Sequence, residues 1–414
     1  MLICTIFLAG IIAGMIFYKP YLGIVFVIVS IPFEGIIDLG SISIYPLESI
    51  LAIFVLICIY KSIVGRHNYF GNTKLVYCCI PFVLCIMLSA VKSIEFSLTM
   101  KEIVRWLELF LVYYLTINLI NDEKKMRIIL YSMFLTVAIA STCGIINYYN
   151  SVSFGYRVSF FFGNPNPFAG YINLIIPVLF CMMIASVFLW ERIMLGVFAF
   201  LSIMAWLSSF SKSGWLSLIL TIILVFFLSK IRKRGLLFLA ILFAIFAITF
   251  LFSDIRGNLM DRERSQPLLK ALEFRAMCYP IGFNMAKDDL ILGIGIGNYP
   301  LIIKAFTKDA ILIPNHLHSL YLQLFVETGV IGLSAFIFWL ACTIKHLIRS
   351  LKVLEGSRNY GLFIGLVGGV IVYLFNNLVD VHVVHGIHLQ WGIILGLAVV
   401  LIQFRESEKC PEMV

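Results

Sequence analysis

Five short stretches of this chain set ionisable or conformationally special residues beside long apolar runs. The first is Gly163-Asn164-Pro165-Asn166-Pro167, with Arg157 just ahead of it. Asn and Pro suit a turn, and Pro suits the first position of a following helix, so a purely structural turn is one reading. The other is that Arg157 faces water and grips an anion. The second, Phe210-Ser211-Lys212-Ser213-Gly214-Trp215, places one lysine between two apolar runs. Its stem could simply snorkel to an interface, but a cation there can also hold a phosphate. The third pairs Phe274-Arg275 with Gly293, Gly295 and Gly297, which recur at every second residue. No strand–helix unit frames these glycines, so they fail as a nucleotide loop. They are expected to turn the backbone tightly and pack near a substrate.

The fourth stretch runs from Asn315 to Gly329 and holds His316, His318 and Glu327. A histidine at the start of a helix, at the mouth of a span, is placed to act as a general base; the plainer reading is a structural interface histidine. On a helix, two residues correspond to about 200°, so His316 and His318 are expected to point apart, with only one facing a site. Glu327 lies inside the same run, where a carboxylate is expensive and requires a partner. It is expected to support packing or another polar partner and not to orient His318. The fifth stretch holds Asp380, His382, His385 and His388. Spacing of three makes metal binding conceivable, but Gly386 interrupts the set and no cysteine or second carboxylate joins it. The expectation is that no metal and no other cofactor is held.

The elements that position these residues are membrane spans. The chain has 414 residues, 61% hydrophobic and 13% charged, where a soluble domain is about a quarter charged. Runs such as Leu75–Val91, Ile193–Phe210 and Leu236–Phe252 approach the ~20 residues that cross hydrocarbon. A backbone in lipid must satisfy its own hydrogen bonds, so these runs are helices, and strand-sized alternation of the barrel type is absent. The expected fold is all-α: a polytopic inner-membrane bundle of about 12–13 segments with one large extracytoplasmic loop. Spans are expected near 2–17, 21–37, 46–60, 75–91, 102–120, 128–148, 167–188, 193–209, 214–229, 235–252, 318–344, 361–377 and 386–403. The first run lacks a small-residue cleavage site and reads as a retained span. Lys19-Pro20 leaves open whether 2–37 crosses once or twice.

The strongest clusters of basic residues are the short loops Lys61–Lys74, Lys124–Arg127, Lys230–Arg234 and Lys345–Arg358. Placing all four in the cytoplasm leaves an even number of spans between each pair, as the positive-inside rule requires. The net charge of +9 therefore sets orientation and does not indicate nucleic-acid binding. The expected units are the N-terminal helices 1–252, an outer loop 253–317, the C-terminal helices 318–403 and a cytoplasmic tail 404–414. The outer side then receives Asn147–Pro167, Ser209–Ser213, Ser253–Leu317 and Asn376–Gly386. The ten cysteines lie mostly in apolar runs without the spacing of a disulfide framework or a zinc site.

Taken in order, these stretches resemble the O-antigen ligase/polymerase superfamily of bacterial envelope glycan enzymes. The resemblance is carried by Asn164-Pro165-Asn166, then Ser211-Lys212-Ser213-Gly214, Arg275, Gly293 to Tyr299, and His318-Ser319-Leu320-Tyr321-Leu322-Gln323 with Glu327 and Gly329. It spans about 157 to 335. Lys212 stands where that family usually has Arg, keeping the charge but losing the bidentate fork. Ser319 replaces the usual Asn. The resemblance implies metal-independent glycosyl transfer on the outer face of the inner membrane. The donor would be an undecaprenyl-pyrophosphate-linked glycan. The acceptor would be lipid A core in a ligase or another lipid-linked glycan in a polymerase. Arg157, Lys212 and Arg275 would hold the donor diphosphate, and His318 would be the base. A polysaccharide transporter or flippase is the rival class; the lack of an internal inverted repeat and the single lopsided outer loop argue against it.

The charge pattern predicts that a cysteine introduced at an exposed position of the 253–317 loop reacts with a membrane-impermeant maleimide in intact cells. Labelling that requires opened membranes would reverse the orientation.

Overall fold

The computed structural model describes residues 2–33, 37–38, 43–44, 46–65, 69, 71, 74–150, 157–228, 268–287, 289–306, 316–383 and 386–409. The expected span 235–252, the loop Lys230–Arg234, the first part of the 253–317 loop, Asn315 and His385 lie outside them. Among the described residues the fold is helical, as expected. The one exception is a minimal antiparallel bridge pairing Ile37 with Ile44 and Asp38 with Ser43. The helices are α1 (Leu2–Tyr18), α2 (Leu22–Ser30), α3 (Pro46–Ile63), α4 (Ile80–Ser89), α5 (Phe96–Leu119), α6 (Glu123–Asn150), α7 (Pro165–Ala185), α8 (Leu189–Ser208), α9 (Lys212–Leu228), α10 (Leu268–Ala286), α11 (Tyr299–Phe306), α12 (Leu320–Leu354), α13 (Tyr360–Val379) and α14 (Ile387–Lys409).

Eight helices are long and apolar enough to cross a membrane, and Phe7–Tyr18, Leu22–Phe33 and Lys212–Phe227 are shorter apolar helices. The chain is a multi-pass membrane protein. Helix α5 forms at the expected 102–120 span but falls outside the eight, because Lys101, Glu102, Arg105 and Glu108 charge its first half. Arg105 hydrogen-bonds Glu102 within that helix, and further along it Leu109 and Tyr113 meet Gly392 of α14.

Helices α7, α13 and α14 form the centre, with most of their spanning windows buried. Small residues let α13 and α7 approach closely, as membrane helices require. A Cβ on Gly369 would lie 2.7 Å from the Leu174 carbonyl, and one on Gly365 2.9 Å from that of Pro177. Polar bonds add register: Asn173 Nδ2 donates to the Gly214 carbonyl at 2.8 Å, and Ser217 hydrogen-bonds Asn376. These tie α7, α9 and α13 together. An aromatic chain fastens the remaining core helices, with ring centroids 4.9 Å apart for Phe82–Trp106 and for Phe110–Trp339, and 4.6 Å for Tyr373–Trp391.

Helix α12 is broken at Gly329 (φ 66°, ψ −170°). The break frees backbone groups that lipid could not satisfy, and the glycine-rich segment 290–297 supplies their partners. Ile294 N donates to Val326 O and Gly295 N to Glu327 O, each at 2.9 Å, and Val330 N donates to Leu290 O at 2.9 Å. The segment is fixed from the other side by Asn298, whose side chain accepts from Ile94 N and donates to Lys92 O. Thr99 Oγ1 donates to Ile296 O, and Lys92 pairs with Asp289 at 2.6 Å. The glycines turn the backbone at positive φ, as expected, and let it pack closely against α5 and the α12 break. Glu327 accepts from Tyr299 N at the start of α11, so its partner is the α11 terminus, not His318, as expected.

Gly329 carries the sharpest steric requirement in this arrangement: a Cβ there would sit 2.1 Å from the Ile291 carbonyl oxygen, at a positive φ. Gly329→Ala should cost about 2 kcal/mol or more, seen as a lowered melting temperature in detergent. Gly10→Ala, in open space on α1, should not lower it.

Candidate active site

The ends of α8 and α13 and the starts of α7, α9 and α12 lie at one end of an up-and-down bundle, and the candidate residues stand there. Asn164 caps α7, its side chain accepting from Asn166 N at 2.9 Å. That turn presents the Asn166 side chain, which bonds at both ends. Asn166 Nδ2 donates to Asp380 Oδ2 at 3.1 Å. Its Oδ1 accepts from Ser211 Oγ at 3.0 Å and from the Arg157 guanidinium at 3.3 Å. Asp380 follows the last residue of α13 and is buried.

His318 Nδ1 lies 3.5 Å from Asp380 Oδ1, and His316 Nε2 lies 3.8 Å from the same oxygen. Helix α12 begins only at Leu320, with Ser319 as its cap, so the expected 200° divergence of the two histidines does not occur. His318 is held at φ 51°, the left-handed region that costs a side-chain-bearing residue energy. That twist turns both rings to the same side, 4.4 Å apart and edge to face. His318 N donates to His316 Nδ1 at 3.3 Å. Among the described residues the other non-glycines with positive φ are Phe160 and Phe210, which flank the Arg157 and Lys212 stretches. Strain is thus gathered around this one end of the bundle.

Arg157 is exposed at its head and braces the turn that precedes α9. Its Nε donates to Ser209 O at 2.8 Å, and a terminal nitrogen donates to Phe210 O at 2.9 Å. Lys212 is the first residue of α9, directly after that braced turn. Arg275 projects from α10, with its Nε buried and without a hydrogen-bond partner among the described residues; its positive field reaches His316 and Tyr279. One network therefore joins Arg157, Ser211 and Asn166 to Asp380 and His318, with Lys212 beside it and Arg275 acting on its histidines.

Burial works to raise the Asp380 carboxyl, but the contact from His318 and the fields of His382 and His316 outweigh it and hold the group below the usual carboxylate range. Burial pushes the His316 imidazole down to about 4, against the pull of Asp380. The arrangement is an ionised carboxylate facing imidazoles, which orients a ring and stabilises its protonated form. His382 does not join the pair of rings through its side chain; its Nε2 faces Asn166 O at 3.4 Å and its backbone N donates to Asn377. His388 is buried within α14. The described residues that converge as potential metal ligands are His316, His318 and Asp380, not the Asp380–His388 set weighed from spacing.

Sequence reasoning passed over Asp380 as the partner of His318 and Asn166 as the junction. The available signal was a carboxylate at the end of a span, which requires a partner of opposite charge. Residues 197–337 match the family model described as O-Antigen ligase. No curated protein matches the chain. The matched stretch contains Lys212, Arg275 and His318 and leaves Arg157, Asn166 and Asp380 outside it.

Removing the Asn166 bonds should destabilise the protein by about 1–3 kcal/mol in Asn166→Ala. Asn166→Asp should be worse, because it sets a second carboxylate against Asp380. Melting temperatures in detergent test this order, and equal effects would mean that the side chain does not reach Asp380.

Proposed function

From the premise that this chain belongs to the O-antigen ligase-like superfamily through residues 197–337, we propose that it transfers a glycan from an undecaprenyl-pyrophosphate donor to a sugar hydroxyl on the outer face of the inner membrane, in the manner of an O-antigen ligase. Its broad class is O-antigen ligase or polymerase, and the two differ in whether the acceptor is lipid A core or another lipid-linked glycan. The observation that carries the reading is the Asp380–His318 contact beside three cations at one end of the bundle.

In this reading His318 takes the acceptor proton through Nε2 while Asp380 steadies the imidazolium at Nδ1. The acceptor oxygen forms its bond to the anomeric carbon as the bond to the diphosphate oxygen breaks. The leaving group is already a diphosphate anion. Lys212 and Arg275 stabilise the charge that grows on it, which supplies the electrostatic part of catalysis without a metal. Arg157 adds its charge while holding the turn that carries Lys212. Both histidines face Asp380, so the choice of His318 rests on its shorter contact and on its place immediately ahead of the Ser319-Leu320-Tyr321-Leu322-Gln323 run.

Purified protein given a lipid-linked oligosaccharide and an acceptor, with EDTA present, should release free undecaprenyl pyrophosphate. His318→Ala should lose roughly 10²–10⁴-fold in rate with normal membrane insertion, and His316→Ala should lose less than about tenfold. Equal losses, or His316→Ala as the dead variant, would remove His318 from the role of base. Movement of lipid-linked glycan across vesicles without release of the diphosphate would favour a transporter.

A further inference from the structure

We propose that His316, His318 and Asp380 form an inhibitory site for a zinc-like divalent cation, which switches off the transfer chemistry while bound. The binding follows from geometry alone; the inhibition rests on the reading of His318 as base.

Two imidazoles and one carboxylate are a common donor set for zinc, with three protein ligands leaving a fourth position for water. Tetrahedral zinc with bonds of about 2.0–2.1 Å sets its ligand atoms about 3.3 Å apart. Here the two nitrogen-to-oxygen separations are 3.5 and 3.8 Å, and all three donor atoms lie within 4.8 Å of one another. Small rotations of the two imidazoles close the remaining gap. Both rings are partly exposed, with side-chain accessibilities of 28% for His316 and 20% for His318, so a hydrated ion has a route in. Asp380 is already oriented from behind, because Asn166 donates to its second oxygen at 3.1 Å. An outer hydrogen bond of that kind fixes a ligating carboxylate and raises affinity.

The consequence for the base is chemical. A neutral imidazole bound to metal through Nδ1 carries its proton on Nε2. In that form Nε2 has no lone pair to accept the acceptor's proton. The same ion occupies the Asp380 oxygen that would otherwise stabilise the imidazolium. On His316, coordination through Nε2 moves the ring proton to Nδ1 and gives up the 3.3 Å bond from His318 N, so the strained His318 backbone also loses a tether. No bond to substrate is made or broken by the ion, and its removal restores the starting tautomers. Residues from three chain segments participate: the stretch ahead of α12, the end of α13, and Asn166 of α7 as support.

The test uses the full-length protein in detergent, first stripped with EDTA. Titration with Zn²⁺ followed by desalting and metal analysis should give one ion per chain, and Co²⁺ should produce visible absorption bands of a low-symmetry nitrogen–oxygen site. His316→Ala and Asp380→Asn should each weaken binding by at least about tenfold, each variant being checked for monodispersity and membrane insertion. Zn²⁺ should inhibit release of undecaprenyl pyrophosphate by the parent, with recovery on EDTA. The half-inhibiting concentration should rise by the same factor in His316→Ala. No stoichiometric binding, or binding unchanged in both variants, would overturn the site. Stoichiometric binding that leaves turnover intact would overturn the inhibitory role and remove His318 as base, while the metal site itself would stand.

Discussion

A helix can break inside a bilayer only if protein or enclosed water takes up the backbone groups it releases, because lipid cannot. In this protein α12 breaks at Gly329, and the 290–295 backbone takes them up through bonds to Val326, Glu327 and Val330. Much else follows from that contact. The glycines are needed because the two backbones approach too closely for a Cβ: at Gly293 it would meet the Glu327 carbonyl carbon at 2.6 Å. Asn298 and Thr99 then lock the segment to the turn before α5. Glu327 accepts from Tyr299 N at the start of α11, taking up one of the amides that a helix N-terminus leaves without a partner. The first half of α12 is thereby aimed independently of its second half, and His318 rides at its beginning. The Lys92–Asp289 pair is partly exposed and contributes little by itself; the buried backbone bonds fix the geometry.

Asp380 imposes the second constraint. A carboxylate buried at the end of a membrane helix is costly unless it is paired and hydrogen-bonded. Asn166 donates to one oxygen and Val381 N to the other, and the two imidazoles stand 3.5 and 3.8 Å from that second oxygen. Satisfying it draws α7, α13 and the start of α12 together, and the left-handed turn at His318 is the local cost of bringing both rings to one oxygen. Function and folding are coupled here in a specific sense. The bonds that compensate the buried charge are the same bonds that orient the proposed base.

The spans were legible because hydropathy and charge are local properties, and the family resemblance was legible because its motifs keep their order. The arrangement within the site was not. A helical wheel set His316 and His318 apart, but neither lies in a helix, and nothing in the local sequence announces φ 51° at a histidine. What the glycine repeat packs against was not legible, because the break it serves lies some 35 residues downstream in sequence, within a run that hydropathy treats as one uniform span. The expected span 318–344 stops at the first charged residue, Lys345, and α12 runs on past it to Leu354, since charge marks where a helix leaves hydrocarbon and not where its hydrogen bonds stop. Asp380 was weighed with its near neighbours His382, His385 and His388, while its partners came from remote segments that only tertiary packing brings near.

The division of labour among the cations also follows from acceptor geometry. Around Arg157 stand the carbonyls of Ser209 and Phe210 and the amide oxygen of Asn166, three acceptors from two chain segments. A guanidinium presents several donors in a rigid fork and can meet all three at once, whereas an ammonium cannot span them. Arginine at 157 is therefore required by the protein's own backbone before any ligand is considered. Lys212 sits two residues beyond Phe210, the nearer of the two carbonyls that Arg157 holds, and there the demands are reversed. A compact charge on a flexible stem has no fixed set of acceptors to match at that position. The rigid fork that organises this turn is supplied from position 157, so a lysine at 212 leaves the turn itself intact.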